Sequence, residues 1–179
     1  MIDPVVDLTV RLALALLFGA AAWHKLSDSA RFEAALRSYR ALPAWAERPA
    51  AWLIPGAEAL IAASLLSSTT RTAAALAGAC LLCAYSAAIG VNIARGRRDI
   101  DCGCFVSSAN VPLSWALLVR NAVLLGATAL AALPASLRPL SWLDSFTIAA
   151  ALLGLSLLWM ATQRLTQTGP ALRRAGGSS

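Results

Sequence analysis

The sequence predicts an all-α fold, a polytopic transmembrane helical bundle, on three observations. Of 179 residues, 59% are hydrophobic and 13% are charged, a balance shifted well away from that of an ordinary soluble domain. Five apolar runs are each long enough to cross about 30 Å of hydrocarbon. Short segments that carry most of the lysines and arginines separate those runs. The length fits a single bundle. Because the net charge of +6 flanks apolar runs, the lipid bilayer and its anionic headgroups are the expected partner, and no nucleic acid is.

The first run, Val5 to Trp23, contains Asp7 and Arg11 and ends in "WHKL". A cleavable leader would open on positive charge and close on small residues, so this run is read as a retained helix. Next, "DSARFEAALRSYRALP" places Phe32, Leu36 and Tyr39 at i, i+4 and i+7 behind Ser27 or Asp28 as N-cap, the pattern of a short interfacial helix. The second span, Pro49 to Leu66, carries Glu58 near its middle, with Pro55-Gly56 just before it as a source of a kink. The third, Thr72 to Ile93, holds Cys80, Cys83 and Asn92; the fourth, Pro112 to Leu133, carries Arg120 and Asn121. The fifth, Trp142 to Ala161, is featureless. These boundaries divide the chain into a four-span core over 1–135, an additional helix over 136–162 and a basic tail over 163–179 whose composition predicts disorder. The six tryptophans, Trp23, Trp45, Trp52, Trp115, Trp142 and Trp159, fall mostly near span ends, as interfacial anchors do.

Between the third and fourth spans lies "RGRRDIDCGCF", Arg95 to Phe105. A thiolate is the reactive form of cysteine, and positive charge beside it lowers the thiol pKa. Arg95, Arg97 and Arg98 supply such a field to Cys102 and Cys104, while Asp99 and Asp101 oppose it. A disulfide closed across one intervening glycine is a small strained ring, and strained disulfides are the exchangeable kind. The motif therefore points to thiol-disulfide exchange, against the alternative of two incidental loop cysteines. No metal is expected there, because two thiolates and His24 leave a tetrahedral site one ligand short. Cys80 and Cys83, in mid-helix, read either as small apolar residues packed among helices or as a membrane-embedded dithiol relay.

Intramembrane ionisable residues are costly and need partners. Asp7 and Arg11, one turn apart, can pair with each other. Glu58 then calls for Arg120 or Arg11. Such a pair either only fixes helix packing or belongs to a polar cavity floored by Arg120 and Asn121 with Lys25 at its rim. Fourteen residues, about four turns, separate Lys25 from Arg11 and return it to nearly the same face, as the cavity reading requires. Chain alternation brings Lys25, Asn92 and the Cys-Gly-Cys segment to one end of the bundle. His24 points elsewhere and reads as an interfacial side chain, with proton transfer as the alternative.

In order along the chain, "RLALALLFGAAAWHKL", "FEAALRSYRALP", "PGAE", "NIARGRRDIDCGCF" and "SWALLVRNAVLL" resemble the successive signatures of the MauE family, relatives of the DoxX group, over about Arg11 to Leu133. The family pattern has a glycine after the phenylalanine, where this chain has Val106. The resemblance implies an integral membrane protein linked to maturation of methylamine dehydrogenase, whose small subunit is rich in disulfides, or to a comparable thiol pathway. The implied partners are a thioredoxin-like protein and a cysteine-rich client. A quinone is a candidate terminal electron acceptor that no residue singles out.

The expected function is membrane thiol-disulfide exchange at Cys102 and Cys104, as a candidate oxidoreductase. The alternatives are a non-enzymatic assembly scaffold and a small-solute carrier built on a Glu58 and Arg120 cavity. The expected location is the inner membrane, crossed several times. One end collects Lys25, Arg31, Arg37, Arg40, Arg48, Arg95, Arg97, Arg98 and, through the fifth span, Arg164, Arg173 and Arg174; the other has Arg71 and Arg138. The positive-inside rule then puts the N-terminus outside and the Cys-Gly-Cys loop at the cytoplasmic face.

Overall fold

The computed structural model describes residues 2–39, 43–96, 115–136 and 138–175, with the side chains of the last segment described as far as 162. Cys102, Cys104, Arg97 and Arg98 lie outside the described residues, as do Arg40 and the side chains of Arg164, Arg173 and Arg174. Six helices follow in order among the described residues: α1 Pro4–Ser27, α2 Ser29–Tyr39, α3 Ala44–Leu66, α4 Arg71–Ala94, α5 Trp115–Ala132 and α6 Trp142–Ala175. All except α2 are long and apolar enough to cross a membrane, α6 over Trp142–Thr162. The helical backbone of α6 thus continues beyond its apolar run into the segment that composition assigns to a tail.

Local chemistry sets the helix ends. Asp3 accepts from the Val5 N–H at 2.8 Å with Pro4 as the first helical residue, satisfying one of the orphan donors at the start of α1. Asp28 caps α2, accepting from the Arg31 N–H at 3.1 Å; the rival cap, Ser27, donates back to the Trp23 carbonyl. Gly96 ends α4 at φ 73°, with its N–H on the Ile93 carbonyl, a left-handed conformation that glycine adopts without a Cβ penalty. The helix α3 runs on through Pro49 and Pro55 without interruption.

The helices α1, α3, α4 and α5 surround one core, and α6 packs against α1. The ends alternate as expected. Ile2 pairs with the segment after α5, through Ile2 N–H to Pro134 O at 3.1 Å and Ser136 N–H to Ile2 O at 2.9 Å, so the start of α1 and the end of α5 share one end. There Arg138 joins Asp3 to Asp144; its hydrogen bond, then that of the Val5 amide, holds the Asp3 carboxyl below the usual carboxylate range. This is the turn end, closed by the α3–α4 turn. The opposite end carries α2, which is no free surface helix. Phe32, Ala35 and Tyr39 are buried, Leu36 is half-buried, and Tyr39 packs with Ile89 and Ile93 of α4.

The core is assembled from Leu14, Ala15 and Phe18 of α1, Ile61 and Leu65 of α3, Ala74, Ala75 and Leu82 of α4, and Ala131 of α5. Gly78 lets α4 approach α1 here. A Cβ at that position would meet the Phe18 ring at 3.2 and 3.3 Å and Ile61 at 3.6 Å. Gly78→Val should therefore lose about 1–3 kcal/mol through overpacking, read as thermal unfolding in detergent. Gly90→Val, at a position with nothing within 4 Å, should stay near the parent. Equal losses in the two would show that Gly78 is not a contact point. Outside the core, large apolar side chains such as Leu53, Leu60, Val123 and Leu157 are exposed, as lipid contact requires.

Candidate functional site

Among the described residues, two ionic clusters are buried in this bundle, one on each side of the apolar core. On α1, Asp7 and Arg11 precede Leu14 and Phe18, and Lys25 follows them; on α4, Arg71 precedes Ala74 and Ala75, and Tyr85 follows Leu82.

At the turn end Asp7 accepts from Arg11 at 3.3 Å and from Arg71 at 3.1 Å. The Arg11 Nε donates to the Leu65 carbonyl at 2.9 Å. The intrahelical pairing of Asp7 with Arg11 is thus present, with Arg71 added. All but one of these hydrogen bonds cross between helices, so the cluster ties α1 to both sides of the α3–α4 turn.

Towards the α2 end, Lys25, Glu58 and Tyr85 from three helices form a closed network. The Lys25 ammonium donates to Glu58 Oε1 and to the Tyr85 hydroxyl at 3.0 Å. The Tyr85 hydroxyl in turn donates to the same Glu58 Oε1 at 2.7 Å. Side-chain direction explains how Lys25 and Glu58 meet. Long side chains on a helix lean towards its N-terminus, and α1 and α3 run in opposite directions, so each leans towards the other. The lysine and glutamate are 2% and 1% exposed, whereas Tyr85 is half-buried. The ammonium also sits 5.2 Å from the Phe32 ring centroid and 4.7 Å from that of Tyr85, within cation–π range. Phe32 of α2 thereby covers the cluster.

Glu58 Oε2 is buried with no hydrogen-bond partner. The same holds for Asn92 Oδ1, although Asn92 Nδ2 donates to the Ala88 carbonyl at 2.9 Å. Further polar groups occupy this half of the interior. Asn121 donates to Ser86 Oγ at 3.2 Å, and Arg120 reaches Asn121 at 3.5 Å and stacks 5.7 Å from the Trp159 ring centroid.

This geometry corrects the expected partner of Glu58. It pairs with Lys25 and with neither Arg120 nor Arg11, because Arg11 is held by Asp7 and Leu65 beyond the apolar core, and Arg120 turns towards α6. A carrier cavity lined by Glu58 and Arg120 loses its defining pair. Lys25 is likewise no rim residue but a buried member of the network. Arg95 caps the end of α4 and is exposed; His24 is half-buried outside the network. Cys80 and Cys83 are free and exposed, which removes the reading that packs them among helices. Since α4 turns Ala74, Ala75, Gly78 and Leu82 to the core, its period of 3.6 residues carries both thiols to the outer surface. Among the described residues, no group of three or more His, Cys, Asp or Glu could hold a metal ion.

Sequence reasoning missed Tyr85. Its signal was a phenol in mid-span, since a buried tyrosine hydroxyl calls for a hydrogen-bond partner.

No solved structure matches this chain. Among known sequences, it is 43% identical over 143 residues to the methylamine utilization protein MauE of Paracoccus denitrificans, covering 76% of this chain and 77% of that protein. It is 41% identical over 138 residues to that of Paracoccus versutus, covering 75% and 73%. With that of Methylophilus methylotrophus it is 35% identical over 161 residues, covering 89% and 85%. The model of the family described as "Methylamine utilisation protein MauE" matches residues 3–134, a stretch that contains both ionic clusters, Asn92, Arg120, Asn121 and the Cys-Gly-Cys motif and stops before α6. With that match and these relatives, this chain, whose described residues form five helices long and apolar enough to cross a membrane, belongs to the MauE family.

Proposed function

We propose that this protein serves methylamine utilisation as a membrane thiol-disulfide exchange protein acting through Cys102 and Cys104, with a thioredoxin-like protein and a cysteine-rich client as its soluble partners. The small subunit of methylamine dehydrogenase is the client that the family resemblance suggests. The observation that carries this reading is the motif itself: two cysteines flanking a glycine, beside three arginines, in the segment that joins Gly96 at the end of α4 to Trp115 at the start of α5. Connectivity tethers that segment to the end of the bundle where α2, Asn92, Asn121 and the Lys25 network gather.

The chemistry is a two-step exchange. A client thiolate attacks one sulfur of the Cys102–Cys104 disulfide, whose S–S bond breaks as a mixed disulfide forms. The second client thiolate then displaces the cysteine. The client leaves oxidised, and this chain keeps both electrons as a dithiol.

Labelling intact cells with a membrane-impermeant thiol reagent, before and after reduction, tests the reading. Cys102 and Cys104 should label only after reduction if the resting motif is a disulfide accessible from outside. Labelling confined to opened cells supports the inner-membrane orientation with this segment at the cytoplasmic face. The Cys102→Ser and Cys104→Ser variants should leave client cysteines reduced. Normal client disulfides in either variant would overturn the exchange role.

A further inference from the structure

We propose that the outer face of α3 between Trp45 and Leu60 binds an anionic phospholipid, with the phosphate at Arg48 and an acyl chain laid along the helix. Neither Cys102 nor Cys104 enters this inference, which stands apart from the exchange reading.

Charge provides the first argument. At the turn end, Asp3, Asp7 and Asp144 are matched by Arg11, Arg71 and Arg138. The α2 end is not balanced in this way. Glu33 and Glu47 both turn to Arg37, and Asp28 is engaged in capping α2. Arg48 is exposed and has no acidic partner among the described residues. It stands one residue past the first turn of α3, near the end of the helix dipole that favours an anion and not a cation. No side chain caps that end, whose N-cap is Pro43, so N–H groups there are left to other acceptors. The Arg48 side chain leans back towards the same end. A phosphate placed there meets the dipole, the N–H groups and the guanidinium together.

Shape provides the second. At 100° per residue, Trp45, Arg48 and Trp52 fall within about 60° of one another around α3, whereas its buried face runs through Ala51, Pro55 and Glu58. The two tryptophans are 82% and 58% exposed, and indoles settle where headgroups meet hydrocarbon. Deeper in the membrane the same face continues through Gly56, where a Cβ would meet nothing within 4 Å, to Leu60, which is 69% exposed. Trp52, Gly56 and Leu60 recur every four residues, so the glycine leaves a shallow notch between two large side chains. A positive start followed by an apolar track suits a molecule charged at one end and apolar along the rest. An acidic protein segment would leave the track unused.

The test is native mass spectrometry of the full chain in detergent, titrated with phosphatidylglycerol or with phosphatidylcholine of the same acyl chains. The first phosphatidylglycerol should bind about fivefold more tightly than the first phosphatidylcholine, the worth of one arginine at an anionic surface. Arg48→Gln should bring the two lipids to parity. Arg95→Gln removes another exposed arginine from the same end and should keep the preference. Trp52→Ala should weaken both lipids alike, since it removes a wall of the track and no charge. Equal binding of the two lipids by the parent would overturn the site, as would a preference that survives Arg48→Gln. An equal loss in Arg95→Gln would mean a diffuse attraction of the whole basic end and would overturn it too. Unchanged binding in Trp52→Ala would show that the lipid does not lie along α3. Glycerol 3-phosphate, which has the phosphate without the chains, should not compete; competition would mark a site for free phosphate and refute the lipid assignment.

Discussion

Replacing Lys25 by Met is expected to cost about 3–5 kcal/mol, the range for breaking a buried ion pair from one side. The lost attraction is the smaller part of that cost. The larger part is the Glu58 carboxylate, left 1% exposed with the Tyr85 hydroxyl as its remaining donor in this network. For a chain of this size the loss corresponds to a fall in melting temperature of roughly 10 °C, measured in detergent or nanodiscs. Glu58→Gln in the same background should restore more than half of it, because a neutral amide keeps an acceptor for Tyr85 without a buried charge. The double-mutant cycle then gives a strong coupling between positions 25 and 58. A control cycle between Glu58 and Arg120, the pair that the sequence favoured, should give no coupling beyond the few tenths of a kcal/mol typical of independent sites. Strong coupling to Arg120 and none to Lys25 would mean that the network is wrongly drawn.

That contrast also marks how far the sequence can be read. The spans were legible because hydrocarbon thickness and helical rise leave little freedom, and the buried face of α2 was legible at Phe32 and Tyr39 from their period. Asp7 with Arg11 was legible because i, i+4 pairing is local. The partner of Glu58 was not. Counting residues from span ends puts Lys25 at the margin and Glu58 in the middle, and it ignores that both side chains lean towards their own N-termini. Exposure of Cys80 and Cys83 was equally hidden, since i and i+3 spacing puts both on one face without saying which way that face turns. The face is decided by Gly78, whose missing Cβ lets α4 set its small side against Phe18. The Cys-Gly-Cys motif is the reverse case: its proposed role is argued from the sequence alone, and the described helices supply only the two ends that its segment joins.

At the turn end, Asp7→Asn should destabilise the protein by about 3 kcal/mol, the low end of the range for a buried pair broken from one side. Asp7 serves two arginines of unequal need. The side chain of Arg71 is 19% exposed, and at the start of α4 it can extend its guanidinium to headgroups or water. Arg11 lies among helices at 6% exposure and cannot, but it keeps the Leu65 carbonyl as acceptor at 2.9 Å, which holds the cost at the low end. The variants should therefore rank. Arg71→Gln should lose less than about 1 kcal/mol, as part-exposed pairs do, and Asp7→Asn several times more. Adding Arg11→Met to Asp7→Asn should recover part of the loss by removing the stranded charge. An Arg71→Gln loss as large as that of Asp7→Asn would show that Arg71, and not Arg11, is the residue Asp7 holds in place. With Phe18, Ile61, Leu65 and Leu82 between the two clusters, neither set of variants should alter the other's effect beyond a few tenths of a kcal/mol. A larger coupling would mean that the apolar core transmits strain between the two ends of the bundle.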